Sequence, residues 1–188
     1  MKNDFVIIGS APSLTQDEID YCKGKARVIV VNDNYLRAPW ADILYWCDKK
    51  WFIWHKDKEE FGTFKGVRAT INTDAQADWY FKRGAEKGLS HESRTLNTGK
   101  NSGHQALNLA CHLGAKRIML IGFDMKAGSN GQTHWFGNHP QPTSKEVYEI
   151  MLPEWETVIP DLNGVKVYNC GLNSRIECFE KRSIYELL

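Results

Sequence analysis

The stretch Asn97-Thr-Gly-Lys-Asn-Ser-Gly-His-Gln-Ala-Leu-Asn-Leu-Ala-Cys-His-Leu-Gly-Ala-Lys-Arg-Ile-Met-Leu-Ile-Gly-Phe-Asp-Met125 leaves this chain few folding options. A small, polar, glycine-containing loop runs into a helix predicted over 102–113. A tight turn follows at Gly114 and Ala115, and then an apolar strand over 117–123 that ends at Asp124. Small residues let a ligand approach the backbone, and free N–H groups at a helix start attract anions. The strand closes on a carboxylate where open α/β sheets place their ligands. The chain opens on a second unit of this kind, Phe5-Val-Ile-Ile-Gly-Ser-Ala-Pro-Ser-Leu14. Two strand ends suited to phosphate in one small domain point to a nucleotide site.

The rest of the chain continues the alternation. Residues 5–8 read as a buried strand bounded by Gly9. Thr15-Gln-Asp-Glu18 is a capping box, so a helix starts near Gln16 and runs to about Lys23, with Gly24 ending it. Further strands are expected at 27–31, closing in Asn32, Asp33 and Asn34, at 43–46, closing in Cys47 and Asp48, at 67–71 and at 165–168. Helices are expected at 49–60, 74–81 and 144–158. Residues 82–97 lack a clear period and read as a loop insertion, and 126–143 form a long polar loop. Strands alternating with helices predict a single Rossmann-like, three-layer α/β domain over 1–188 with a mainly parallel sheet and a lid loop at 125–143.

Bulk composition removes several classes. The chain has 188 residues, enough for one domain. Its 24 basic and 23 acidic residues leave a net charge of +1, so no electrostatic argument favours nucleic acid or a membrane surface. The five cysteines, Cys22, Cys47, Cys111, Cys170 and Cys178, are odd in number, scattered and free of any C-x-x-C pair. They read as reduced thiols in a cytoplasmic protein. The apolar run 5–8 is too short for a signal-peptide core, and no stretch reaches membrane-spanning length.

The candidate chemistry lies at strand ends and in the polar loop. Gly9-Ser-Ala-Pro-Ser-Leu14 would lie under a nucleotide with the Ser10 and Ser13 hydroxyls facing it, or would be a plain turn; it is neither G-x-G-x-x-G nor a P-loop. Asn32 and Asn34 sit where a ribose or base edge is commonly held. Asp48 and Asp124 would take a hydroxyl or a divalent ion, or cap the next helix. Ser102 and Gly103 open the helix that would face phosphate. In Gly131-Gln-Thr-His-Trp-Phe-Gly-Asn-His-Pro140, His134 and His139 flank an aromatic pair that could exclude water, and a histidine near neutral pKa suits acid–base work. Their spacing matches no zinc signature. Trp40, after a proline, is the expected ligand contact among the tryptophans, and His104 is expected to pack.

Together these motifs resemble the small bacterial sialyltransferase family and the related flagellin-modifying and pterin-diphosphokinase-like proteins. The family opening Gly-x-Gly-Pro-Ser-Leu is matched by residues 9–14, and its Asn-then-aromatic strand end by Asn32 and Tyr35. Ser102-Gly103, Leu113-Gly114 and Leu120-Ile-Gly-Phe-Asp124 match its helix start, turn and strand, and His134-Trp-Phe-Gly137 its His-aromatic-x-Gly loop. Val167-Tyr-Asn-Cys-Gly-Leu-Asn-Ser174 is similar to its closing strand and Asn-Ser turn. The pattern is also similar to uncharacterised phage and prophage proteins with a His-Trp-x-Gly-x-His-Pro loop.

The resemblance implies a nucleotide-sugar transferase fold with a CMP-type donor, inverting displacement at the anomeric carbon, and His134 as the base that deprotonates the acceptor hydroxyl. The sialyltransferases hold the leaving phosphate with tyrosines after the Asp strand. Residues 125–133 contain none, so Lys126, Lys100 or Arg94 would take their place. No cofactor is required on this reading. Two alternatives stay open: a diphosphokinase, in which Asp33, Asp48 and Asp124 would converge on Mg²⁺, and a nucleotide-binding protein without turnover. A homo-oligomer also stays open.

Overall fold

A computed structural model describes residues 3–140 and 146–188 of the chain. Strand β1 (Asp4–Ile8) leads through helix α1 (Gln16–Tyr21) to β2 (Arg27–Val31) and β3 (Ile43–Trp46). Helices α2 (Lys49–His55) and α3 (Glu59–Gly62) precede β4 (Val67–Thr70) and β5 (Trp79–Tyr80). A small excursion, β6 (Lys82–Arg83) and β7 (Thr95–Leu96), leads to α4 (Ser102–His112) and β8 (Arg117–Ile121). After the polar loop come α5 (Glu146–Met151), a 3-10 helix over Leu152–Asp161, β9 (Lys166–Asn169), β10 (Glu180–Lys181) and α6 (Ile184–Leu187).

Eight strands form one sheet in the order β10-β9-β8-β1-β2-β3-β4-β5, and every pairing is parallel. Successive side chains in a strand point to opposite faces, and both faces are covered. Phe5, Ile7, Ile29, Val31, Ile118 and Leu120 pack on one side with Leu107 and Ala110 of α4 and with Trp155. Val6, Ile8, Val28, Val30, Met119 and Ile121 pack on the other with Ile19 of α1, Trp51 and Phe52 of α2, and Ile184 of α6. Burial on both faces is why these strands read as unbroken apolar runs. The result is the three-layer, doubly wound α/β domain expected from the alternation.

The strands after β1 are laid down on one side of it, and β8, β9 and β10 on the other. The winding therefore reverses between β1 and β8, the switch point at which such sheets open a crevice. Two glycines make that junction. The Gly9 N–H donates to the Ile121 carbonyl at 2.9 Å and the Ala11 N–H to the Gly122 carbonyl at 3.0 Å. A Cβ on Gly9 would lie 2.4 Å from the Gly122 oxygen, and one on Gly122 2.5 Å from the Gly9 oxygen, so neither position admits a side chain unless the backbone shifts. Gly122 also takes φ +73, which ends β8 at Ile121 and not at the expected residue 123.

Several expected elements differ. The helix expected over 49–60 is two helices, because the charged, exposed stretch 56–60 offers no apolar face, and the chain turns so that Phe61 can reach the core. The helix expected over 74–81 is a turn followed by β5. The edge of β4 takes Trp79 and Tyr80 as partners, the Asp78 carboxylate accepts the Arg68 N–H at 2.8 Å, and the Tyr80 hydroxyl donates to the Ala75 carbonyl at 2.8 Å. An open sheet edge outweighs a weak local helical pattern. The insertion 82–97 contains the β6–β7 pair. Of the helix expected over 144–158, residues 144 and 145 lie outside those described, as do 141–143 of the polar loop. The remainder changes from α5 to a 3-10 helix at Pro153, which has no N–H to donate. β10 and α6 were not foreseen. Among the described residues no helix is long and apolar enough to cross a membrane.

Candidate functional site

Because β1, β2, β3 and β8 are parallel, the residues after each reach one rim and enclose a cleft of about 270 Å³. Gly9 and Ser10 follow β1, Asn32 follows β2, Cys47 and Asp48 follow β3, and Gly122, Phe123 and Asp124 follow β8. Lys100, Asn101, Ser102 and Gly103 at the start of α4 form one wall. Lys126, Thr133, His134 and His139 from the polar loop, with Val147, Tyr148 and Met151 of α5, form another. Gly9, Ser10, Asn32, Ser102, Gly103, Asp124, Lys100, Lys126 and His134 are thus brought together. Ser13, Asn34 and Arg94 are not among the lining residues.

The start of α4 is held rigidly. Asn101 caps it, its Oδ1 accepting the His104 N–H at 2.8 Å. The N–H groups of Ser102 and Gly103 lie in the first turn, where no intrahelical acceptor exists. A Cβ on Gly103 would sit 2.2 Å from the Phe123 ring, so only glycine lets the helix start this close to the end of β8. The Ser102 hydroxyl lies 3.1 Å from Cys47 Sγ. Burial pushes the Cys47 thiol up to about 12, with the Asp48 charge adding to the effect, which keeps it protonated.

Asn32, Lys100 and Met125 of the rim all hold left-handed backbone, at φ +52, +56 and +53, and Asn32 adds a second feature. Its Oδ1 is buried with no hydrogen-bond partner among the described residues. Left-handed backbone at a non-glycine residue persists only where its surroundings enforce it. Asn34 is different: it is fully buried, its Nδ2 donates to the Ile8 and Val31 carbonyls at 3.2 and 2.8 Å, and its Oδ1 accepts the Trp135 indole N–H at 3.0 Å. Asp124 does not cap a helix. Ser13 donates its hydroxyl to Asp124 Oδ1 at 2.6 Å and its N–H to Oδ2 at 3.3 Å, tying the first loop to the end of β8.

Trp135 pins the polar loop. Its backbone N–H donates to the Ser10 carbonyl at 3.0 Å, and the Arg37 guanidinium lies 5.0 Å over its ring. His134 and Gly137 exchange two backbone hydrogen bonds of 3.0 Å, and the Phe136 ring stacks on His134 at 4.9 Å. His139 lies 4.7 Å from His134, ring to ring. Burial pushes the His134 imidazole down to about 4; the charge of His139 acts in the same direction and Asp33 opposes both. His134 is therefore neutral near pH 7, and its Nε2 has no partner among the described residues. Burial also lowers His139, against the charges of Asp33 and Asp48.

The cations are partly committed. Lys100 Nζ lies 2.7 Å from Glu86 and 3.1 Å from Glu154. Lys126 is exposed at the rim. Arg94 lies before β7, where its carbonyl accepts the Lys82 N–H at 2.7 Å. The carboxylates do not converge. Asp33 turns inward, accepting the Trp51 indole N–H at 2.7 Å and lying 3.3 Å from His55 Nε2, while His55 Nδ1 pairs with the Tyr35 hydroxyl at 2.8 Å. Burial works to raise Asp33, but these bonds outweigh it and hold the carboxyl below its ordinary value. Among the described residues no three His, Cys, Asp or Glu side chains are grouped to hold a metal ion, so Asp33, Asp48 and Asp124 do not fit as a Mg²⁺ donor set.

Two features escaped the sequence. Tyr148 enters the cleft from α5, its hydroxyl donating to the Thr133 carbonyl at 3.1 Å, although it lies far from the Asp124 strand in sequence. A second cavity of about 480 Å³ adjoins the first. Trp40, the expected ligand contact, packs beside Lys23 outside both cavities. Comparison of the chain with models of protein families, with curated proteins and with solved structures finds no match.

Proposed function

We propose that the chain is a glycosyltransferase-like protein that binds a nucleotide sugar with a CMP-type donor group. The observation that carries this reading is the junction of α4 with the switch point. The Ser102 and Gly103 N–H groups, which have no intrahelical acceptor, open an eleven-residue helix at a crevice lined by Gly9, Gly122 and Asn32. Helix dipole and N–H groups together suit one phosphate. Lys100 is already shared by two carboxylates, which suits a donor with a single phosphate charge better than a diphosphate.

In the proposed reaction an acceptor hydroxyl attacks the anomeric carbon from the face opposite the phosphate. The new C–O bond forms as the sugar–phosphate C–O bond breaks, and its electron pair leaves with the nucleotide, stabilised by the Ser102 and Gly103 N–H groups. The acceptor proton passes to neutral His134. The five free thiols fit a reducing, cytoplasmic setting.

Binding without turnover draws on one observation: an imidazole held near 4 is a weak base at neutral pH. A thermal-shift screen of CMP, UDP, GDP and ATP, each with and without Mg²⁺, tests the ligand, followed by assay of CMP-sugar hydrolysis. Stabilisation by CMP without Mg²⁺, with slow donor hydrolysis, is expected. A response only to ATP with Mg²⁺ would replace this reading with the diphosphokinase one. CMP binding with no hydrolysis of any donor would leave a binding protein.

A further inference from the structure

We propose that the second cavity is an acceptor subsite built for a sugar, an inference that rests on the transferase reading above. Asn32, Asp48 and His139 line both cavities, so the two form one groove that changes character at these residues. The nucleotide side offers N–H donors from α4. The other side is lined by α2, with Trp54 as its accessible aromatic member beside Lys49 and Lys50.

Trp51 and Trp54 lie three positions apart on α2 but do different things. Trp51 is 2 % exposed, and its ring stacks on His55 at 4.2 Å, so it belongs to the core. Trp54 is only half-buried, and its ring lies 5.6 Å from His139, tilted by 31°. An indole steadied by an imidazole and lining a cavity is a platform for a flat, weakly polar face, which the C–H face of a pyranose supplies.

The groups where the cavities meet select what sits on that platform. Asp48 holds the capping position of α2, yet its side chain makes no capping hydrogen bond. Asn32 Oδ1 is buried and unpaired among the described residues. A carboxylate and an amide oxygen accept hydrogen bonds, so they match hydroxyl donors, while Lys49 and Lys50 at the same cavity supply donors for ring and hydroxyl oxygens. An aromatic platform edged by acceptors and donors defines a polyhydroxylated ring. A hydroxyl of that ring at the shared rim would stand beside the His134–His139 pair, at the mouth of the donor cleft.

Saturation-transfer-difference NMR tests this with galactose, N-acetylglucosamine, lactose and cellobiose, each with CMP present and with inorganic phosphate as a control. At least one sugar should receive saturation at its ring C–H protons, and its affinity should fall at least about fivefold in Trp54→Ala and recover in Trp54→Phe. CMP affinity, measured by calorimetry, should stay within about twofold in Trp54→Ala, and circular dichroism should show that variant folded. If CMP binds but none of the sugars does, or if a sugar signal survives Trp54→Ala unchanged, the subsite is overturned. Phosphate bound in a Trp54-dependent way overturns it too. Trp54-dependent sugar binding in a protein that ignores CMP would sink the nucleotide reading and leave the subsite standing.

Discussion

Gly122 combines two constraints that can be separated by mutation. Its φ of +73 disfavours any side chain, and a Cβ there meets the Gly9 carbonyl. Gly114 has φ +82 and open space around the same position. Gly114→Ala should therefore cost about 1 kcal/mol from backbone strain alone. Gly122→Ala should cost at least about 2 kcal/mol more, because β1 and β8 must move apart. Urea unfolding of both variants measures the difference; equal costs would mean that the two strand ends yield without penalty. The histidines of the polar loop divide in the same way. His134→Ala should reduce donor hydrolysis by ~10²-fold or more while leaving CMP affinity nearly intact. His139→Ala should leave donor hydrolysis much closer to the native rate. Loss confined to His139→Ala would move the base five residues along the loop.

Among the elements, α4 is the one on which the proposed nucleotide binding rests. Its direction is fixed by Gly103 against Phe123 and by the Asn101 cap, so its first turn cannot drift from the cleft. Ser102→Asp places a negative charge beside the expected phosphate. Calorimetry should show CMP affinity lowered by at least tenfold, about 1.4 kcal/mol, while Thr15→Ala, at the distant capping box of α1, should leave it unchanged. Unaltered affinity in Ser102→Asp would remove α4 from the site. Helix α1 shows how local signals work. The capping box Thr15-Gln-Asp-Glu18 forms as read, with the Thr15 hydroxyl accepting the Glu18 N–H at 3.2 Å and the Glu18 carboxylate accepting the Thr15 N–H at 2.9 Å. By contrast, nothing local to 74–81 announces β5, because its partner is a strand edge supplied by β4.

The whole molecule carries an acid sensitivity set by buried imidazoles. His104 is fully buried, and burial pushes it down to about 4 despite the Asn97 backbone and the Glu154 charge, which act the other way. His134 is held near the same value. Unfolded histidine titrates near 6.5, so between about pH 6.5 and 4 the unfolded chain binds more protons than the folded one. Stability should be fully present above pH 6.5 and fall as the pH drops through that window. The slope should reach about 1.4 kcal/mol per pH unit for each imidazole. Urea unfolding at pH 7.5, 6 and 5 measures it, and His104→Leu should flatten the dependence. A profile unchanged in that variant would show that His104 is protonated at no cost.

What the sequence determined by itself was the layered alternation and the identity of the rim. Unbroken apolar strands, a capping box and glycines at strand ends are local instructions, and in a parallel sheet the residue after each strand must reach the carboxyl edge. Gly9, Asn32, Asp48 and Asp124 were therefore legible as neighbours in space before any tertiary contact was known. The tertiary structure alone decided which of the polar groups face outward. The sequence offered Asn34 and Asp124 to a nucleotide, and Asp33 to a metal ion under the diphosphokinase alternative. Packing turned Asp33 to Trp51 and His55, spent Asn34 on Trp135, and bound Asp124 to Ser13. It also carried Tyr148 into the cleft and set His139 against Trp54. The physical reason is the range of the interactions. Periodicity, caps and turns act over a few residues, whereas a buried polar group takes whatever partner the folded chain brings within hydrogen-bonding distance.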